Sequence, residues 1–121
     1  MILLDASVWI DHLRRSEPRL IELLSDEQIL IHPFVTAEVA LGSMARRDAV
    51  IEVLESLPQA PVATHEEAME LIERRRLHGL GIGYVDIHLL ASARLAGAGL
   101  WTRDRRLRAA AEQLGVAAGE D

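Results

Sequence analysis

Four acidic side chains occupy positions at which carboxylates can do chemistry. Asp5 ends the apolar run of Ile2, Leu3 and Leu4, and Asp104 stands two residues beyond the apolar stretch GLWT at 99–102. Glu38 lies inside PFVTAEVALG, a segment apolar nearly all round, with Phe34 one turn before it and Leu41 one turn after. Asp86 falls in the first turn of VDIHLLASA, directly after a glycine-rich entry. Three of them have an ordinary role open to them: Asp5 can cap a turn, Asp104 can cap the last helix, and Asp86 suits the positive end of a helix dipole. Glu38 is harder to place, because glutamate is almost never fully buried unless paired, and no arginine is an obvious partner on that face. Brought together, the four carboxylates would repel and raise one another's pKa. A hard divalent cation removes that conflict, and Mg²⁺ or Mn²⁺ prefers ligand sets made of oxygen. Asp5, Glu38, Asp86 and Asp104 are therefore candidate metal ligands for one or two such ions, and the chemistry in view is hydrolysis assisted by a bound cation.

The elements that must deliver these acids can be traced along the chain. Residues 1–5 predict a buried strand, and 7–14 a helix with Ser7 as its N-cap. Pro18 suits the first turn of a second helix running to about residue 24. QILIH at 28–32 predicts a short strand, and Pro33 opens a helix through about residue 41, closed by Gly42. An amphipathic helix follows over 48–57, ending before Pro58, and 61–63 is a candidate short strand. A long helix spans 65–78, stopped by Gly79; another covers 85–96, ended by Gly97. Residues 99–102 form a further strand, 105–114 a last helix, and 116–118 a candidate edge strand. Short apolar strands alternating with helices predict an α/β fold whose small, mostly parallel sheet is covered on both faces. In such folds ligands bind beyond the carboxyl ends of the strands, which is where Asp5 and Asp104 would emerge.

With 121 residues and no linker, repeat or low-complexity segment, the chain is read as one domain spanning 1–121. Half of its residues are hydrophobic but only 3% are aromatic, so the core must be aliphatic. There is no cysteine, which removes disulfides, thiolate nucleophiles and cysteine zinc sites. No apolar run approaches the roughly 20 residues that span a bilayer, and no secretory signal is visible at the N-terminus, so a soluble cytoplasmic protein is expected. The net charge of −6 argues against a nucleic-acid partner at first sight. Two divalent ions at the acids would bring it to about −2. All 13 basic residues are arginines, and all but Arg19 and Arg94 cluster at 14–15, 46–47, 74–76 and 103–108. Arginine forks match phosphate oxygens, although 74–76 reads better as a solvated helix face pairing with Glu70 and Glu73.

At this point the sequence resembles the PIN-domain ribonucleases of the VapC toxin type. The resemblance rests on LLDASVWIDHL, HPFVTAEVALG, GIGYVDIHLLASA and LWTRDRRL, in the order and spacing of that family, and covers essentially the whole chain. It implies a Rossmann-like α/β/α fold of three layers with Asp5, Glu38, Asp86 and Asp104 at one sheet edge, supported by Ser7 and Thr102. It also implies an endoribonuclease dependent on Mg²⁺ or Mn²⁺, acting as a toxin, neutralised by a cognate VapB-type antitoxin and assembled as a homodimer. In that setting Asp5 and Asp86 are the central ligands, Glu38 ligates or orients a water, and Asp104 completes the shell. Arg103, Arg105, Arg106 and Tyr84 are candidate RNA contacts. His88 stands where the family usually has a small or apolar residue, and reads as a core or surface histidine.

Rival functions are narrowed by what the chain lacks. A receiver domain or an aspartyl-phosphate phosphatase would use a lysine, and there is none. GLGIG does not fit GxGxxG, because Tyr84 takes the place of the last glycine. The five histidines show no zinc-enzyme spacing. A housekeeping PIN nuclease of RNA processing and a catalytically silent PIN-like interaction module remain as alternatives to the toxin. An upstream reading frame with a DNA-binding N-terminus would separate the first from the toxin, and the four intact acids argue against the second. Trp9, Phe34 and Trp101 are expected to pack around the sheet edge, with Tyr84 the aromatic best suited to meet a base.

Overall fold

The computed structural model describes residues 1–119 and contains, among them, three strands and seven helices. The sheet is parallel throughout, in the order β2-β1-β3 (β1 Ile2–Leu4, β2 Ile29–Leu30, β3 Gly99–Trp101). Leu3 lies opposite Leu30 on one side and Leu100 on the other. Side chains of neighbouring strand residues point to opposite faces, and Leu3 and Leu4 are both fully buried. The sheet is therefore covered on both faces, as the hydrophobic run predicts. The helices are α1 (Ala6–Arg14), α2 (Pro18–Ser25), α3 (Pro33–Ala40), α4 (Arg47–Ser56), α5 (His65–Arg75), α6 (Tyr84–Ala96) and α7 (Arg105–Gln113); α6 packs on β1 and β3, α5 on α6, and α3 on α1 and α4. The core is aliphatic apart from Trp9 and the fully buried Trp101.

Several boundaries differ from expectation, each for a physical reason. Asp5, not Ser7, caps α1: its carboxylate accepts the Ser7 N–H, so the helix starts as soon as the strand ends. Residues 61–63 form no strand; sheet pairing beyond β2 is a single parallel bridge from Ile31 to Gln59. The edge expected at 116–118 is likewise one bridge, Leu100 to Ala117. α5 stops at Arg75 rather than running to residue 78. Arg76 takes the left-handed conformation at φ 54° and Leu77 is buried, its N–H returning to Ile72 O. Burial of Leu77 thus offsets a backbone conformation that only glycine adopts without cost.

Candidate metal centre at the carboxyl edge of the sheet

Parallel pairing carries the ends of β1 and β3 to one edge, and the Asp5 N–H donates to Trp101 O at 3.1 Å there. Asp5 is buried. Its Oδ1 accepts from the Ser7 N–H at 2.8 Å and from the Ser7 hydroxyl, and its Oδ2 accepts from Thr102 Oγ1 at 2.5 Å. Thr102 Oγ1 in turn accepts the Asp104 N–H at 3.0 Å, and Ser7 Oγ accepts the Arg103 N–H at 3.0 Å. Ser7 and Thr102 thus lock the end of β1 to the segment after β3.

Asp104 caps α7, its Oδ1 accepting the N–H groups of Arg106 (2.9 Å) and Leu107 (3.0 Å). Asp86 reaches back from the first turn of α6 to accept the Gly83 N–H at 2.9 Å. The capping roles open to these acids are real, and each leaves carboxylate oxygen capacity for a second partner. Glu38 projects from α3 and is exposed, not buried as its apolar segment suggested: Pro33 and Ala37 are exposed with it, so this side of α3 is uncovered. Among the described residues it makes no hydrogen bond or ion pair.

Electrostatics tie the four together. Partial burial, then Asp5 and then Asp86, raise the Glu38 carboxyl above its ordinary range. Burial also raises Asp86; the Gly83 bond opposes this, while Asp104 and Asp5 reinforce it. Among the described residues no three His, Asp or Glu side chains converge closely enough to cage an ion as they stand. Asp5, Asp86 and Asp104 are each engaged by their own N–H or O–H donors. The donor set nonetheless fits a hard divalent cation: all of its ligands are carboxylate oxygens, and their mutual repulsion is what a cation relieves.

The candidate RNA contacts divide. Arg103 turns away from the acids: its guanidinium bonds Asp11 at 2.8 Å and Glu17, and lies 5.7 Å from the Trp101 ring centroid. It clasps the end of α1 to the start of α2, a role not legible from its place in an arginine cluster. Arg105 and Arg106 are exposed beside Asp104, and Arg106 lies against the loop before α6. A Cβ on Gly81, at φ 76°, would sit 2.7 Å from its guanidinium, so only glycine leaves Arg106 this position. Tyr84 is 46% exposed, whereas Trp9 and Trp101 are buried as expected. His88 is also buried, against the rings of Phe34, Tyr84 and His32. His32 itself caps α3 through Nδ1, which sequence reasoning missed because histidine is rarely a cap.

The PIN-domain family model matches residues 2–113, the span that carries this small parallel sheet and all four acids. The chain belongs to the PIN-domain family. It is 53% identical, over all of its own length and 98% of the other, to a protein named Ribonuclease VapC32 in two strains of Mycobacterium tuberculosis, which places it in the VapC branch. Among solved structures, the fold is shared with PAE2754 from Pyrobaculum aerophilum (TM-score 0.66, 19% identity, 97% of this chain and 87% of that one). It is shared also with FitAcB from Neisseria gonorrhoeae (TM-score 0.64, 24% identity, 99% and 97%).

Proposed function

We propose that this chain, as a single PIN domain, is the ribonuclease toxin of a VapBC-type pair, hydrolysing RNA phosphodiesters with Mg²⁺ or Mn²⁺. The observation that carries this reading is the coupled set Asp5, Glu38, Asp86 and Asp104, in which burial and neighbouring acids raise the carboxyls of Glu38 and Asp86. The full-length likeness to a protein named as a VapC ribonuclease supports it. A divalent cation there would supply Lewis acidity, lowering the pKa of a water so that it can lose a proton and offsetting charge on the phosphate.

The chain's own residues do the rest. Asp5 and Asp86 would hold the cation, with Asp104 completing its shell. Ser7 and Thr102 keep the Asp5 carboxylate in one orientation, which ligating carboxylates require. Glu38, exposed and with no other partner among the described residues, orients the attacking water and takes its proton. Attack at phosphorus breaks the P–O3′ bond, leaving a 5′-phosphate and a 3′-hydroxyl. Arg105 and Arg106 draw the phosphodiester backbone to the Asp104 side of the site. The partners of this reading are an RNA substrate, a cognate antitoxin and a second copy of the chain in the cytoplasm. Apolar faces of the helices over 35–57, including Leu41 and Val53, are the candidate dimer surface. Among the described residues no helix is long and apolar enough to cross a membrane.

The test is cleavage of RNA by purified protein with Mg²⁺ or Mn²⁺, its arrest by EDTA, and its loss in Asp86→Asn. Activity surviving exhaustive chelation would overturn the mechanism. Sequencing RNA ends after brief induction, against an Asp5→Asn control, identifies the substrate. Light scattering of a monomer at micromolar concentration would remove the dimer.

A further inference from the structure

A row of rings connects the surface to the acid site. His65, the first residue of α5, holds the Tyr84 hydroxyl through Nδ1 at 2.8 Å, and their ring centroids are 5.6 Å apart. The Tyr84 ring stands nearly perpendicular to that of His88 with centroids 4.6 Å apart, and His88 meets Phe34 at 5.1 Å. Phe34 lies one turn before Glu38 on α3, and Tyr84 two residues before Asp86 on α6. Residues four apart share a helix face, so the inner end of the row lies on the Glu38 face of α3, while Tyr84, nearer its outer end, opens α6 just after the loop that Arg106 lies against.

Holding Tyr84 still has a cost. An exposed tyrosine loses rotamer freedom when fixed, and a hydrogen bond between two exposed side chains returns little. Both Tyr84 and His65 are exposed. The base of His65 is itself rigid: Thr64 Oγ1 accepts the Glu67 N–H at 3.0 Å, and Glu67 returns a bond from the Thr64 N–H at 2.8 Å. Stability alone gives no account of a ring clamped at its edge and its hydroxyl while nearly half of it faces solvent. Pre-organisation for a flat ligand does.

We propose that Tyr84 is the stacking platform for the nucleobase next to the scissile phosphate, and that His65 is the positioning residue that fixes its ring. This rests on the ribonuclease reading above. Single-stranded RNA then crosses the centre with one base on Tyr84 and its backbone drawn toward Arg105 and Arg106. Stacking is tolerant of base identity but stronger for purines, so the platform also sets a preference at one flanking position.

The experiment digests a random-sequence single-stranded RNA pool with wild type, His65→Phe, Tyr84→Phe and Tyr84→Ala in Mn²⁺, and sequences the ends. Initial rates are taken on one oligonucleotide from the preferred class. Tyr84→Ala should raise KM about 10-fold and flatten the preference at one position. His65→Phe and Tyr84→Phe delete the same hydrogen bond from either end. Each should raise KM about threefold with kcat little changed, and the double Phe variant should be no worse than either single one. Quenching of 2-aminopurine at the flanking position should weaken in the same order. If wild type cleaves no RNA, the ribonuclease reading fails and this inference with it. If wild type cleaves and the His65 and Tyr84 variants match it in KM and site preference, the platform alone is overturned. Thermal melts of Tyr84→Phe, which keeps the ring, exclude a folding defect as the cause.

Discussion

Thr102 Oγ1 donates to Asp5 Oδ2 at 2.5 Å across 97 positions of sequence, and the same oxygen accepts the Asp104 N–H. One hydroxyl thus ties the Asp5 carboxylate after β1 to the Asp104 backbone after β3. Its removal tests whether the centre depends on that bracing.

Thr102→Val keeps the shape of the side chain and removes both bonds. We expect cleavage to fall about 10- to 100-fold, in line with loss of a partner that orients a ligating carboxylate. Thr102→Ser should restore most of it. Equal activity in Thr102→Val and wild type, measured at saturating Mn²⁺, would show that Asp5 needs no such support.

Asp86→Asn should abolish cleavage and growth arrest yet leave the protein folded. Without metal the variant should be more stable by about 1 kcal/mol, since one repelling charge is gone and coupling at high effective dielectric is modest. Added Mg²⁺ should reverse the order, because a ligand of the folded state alone stabilises by mass action. Thermal melts with and without Mg²⁺ decide it; equal gains in both proteins would remove Asp86 from the ligand set.

The raised carboxyl of Glu38 makes metal-free stability depend on pH. Between its unfolded and folded pKa the folded state binds more protons than the unfolded chain, so stability falls as pH rises through that interval. Glu38→Gln carries no such penalty. Its advantage over wild type should be absent near pH 4 and should grow toward pH 7. Urea melts in EDTA at the two values measure it, and an advantage independent of pH would contradict the coupling among the acids.

His32 gives the opposite slope. Burial first, and then His88, push it down to about 4, so it is neutral in the fold. Its contribution is complete above the unfolded pKa of about 6.5 and is lost as pH falls from there toward 4. His32→Asn retains a capping side chain and should lose less stability on acidification, by up to about 3 kcal/mol near pH 4. Parallel acid denaturation profiles for the two proteins would refute the assignment.

The candidate acids could be picked out along the chain because parallel strands force the residues after them to a common edge. Asp5 and Asp104 follow apolar strands, and Asp86 opens a helix whose start and glycine stop are local signals. Ser7 and Thr102 were placed beside them by likeness to the family, and the hydrogen bonds bear out that proximity. Other features depend on which surfaces meet, and periodicity carries no record of that. Glu38 proved exposed because no described residue covers that side of α3. Arg103 spends its charge on Asp11 and Glu17, 92 and 86 positions away. His65 meets Tyr84 only because α5 packs on α6. Strand ends and caps are set by neighbours along the chain, whereas the partners of long polar side chains are set by packing between elements, and there the tertiary fold alone chooses.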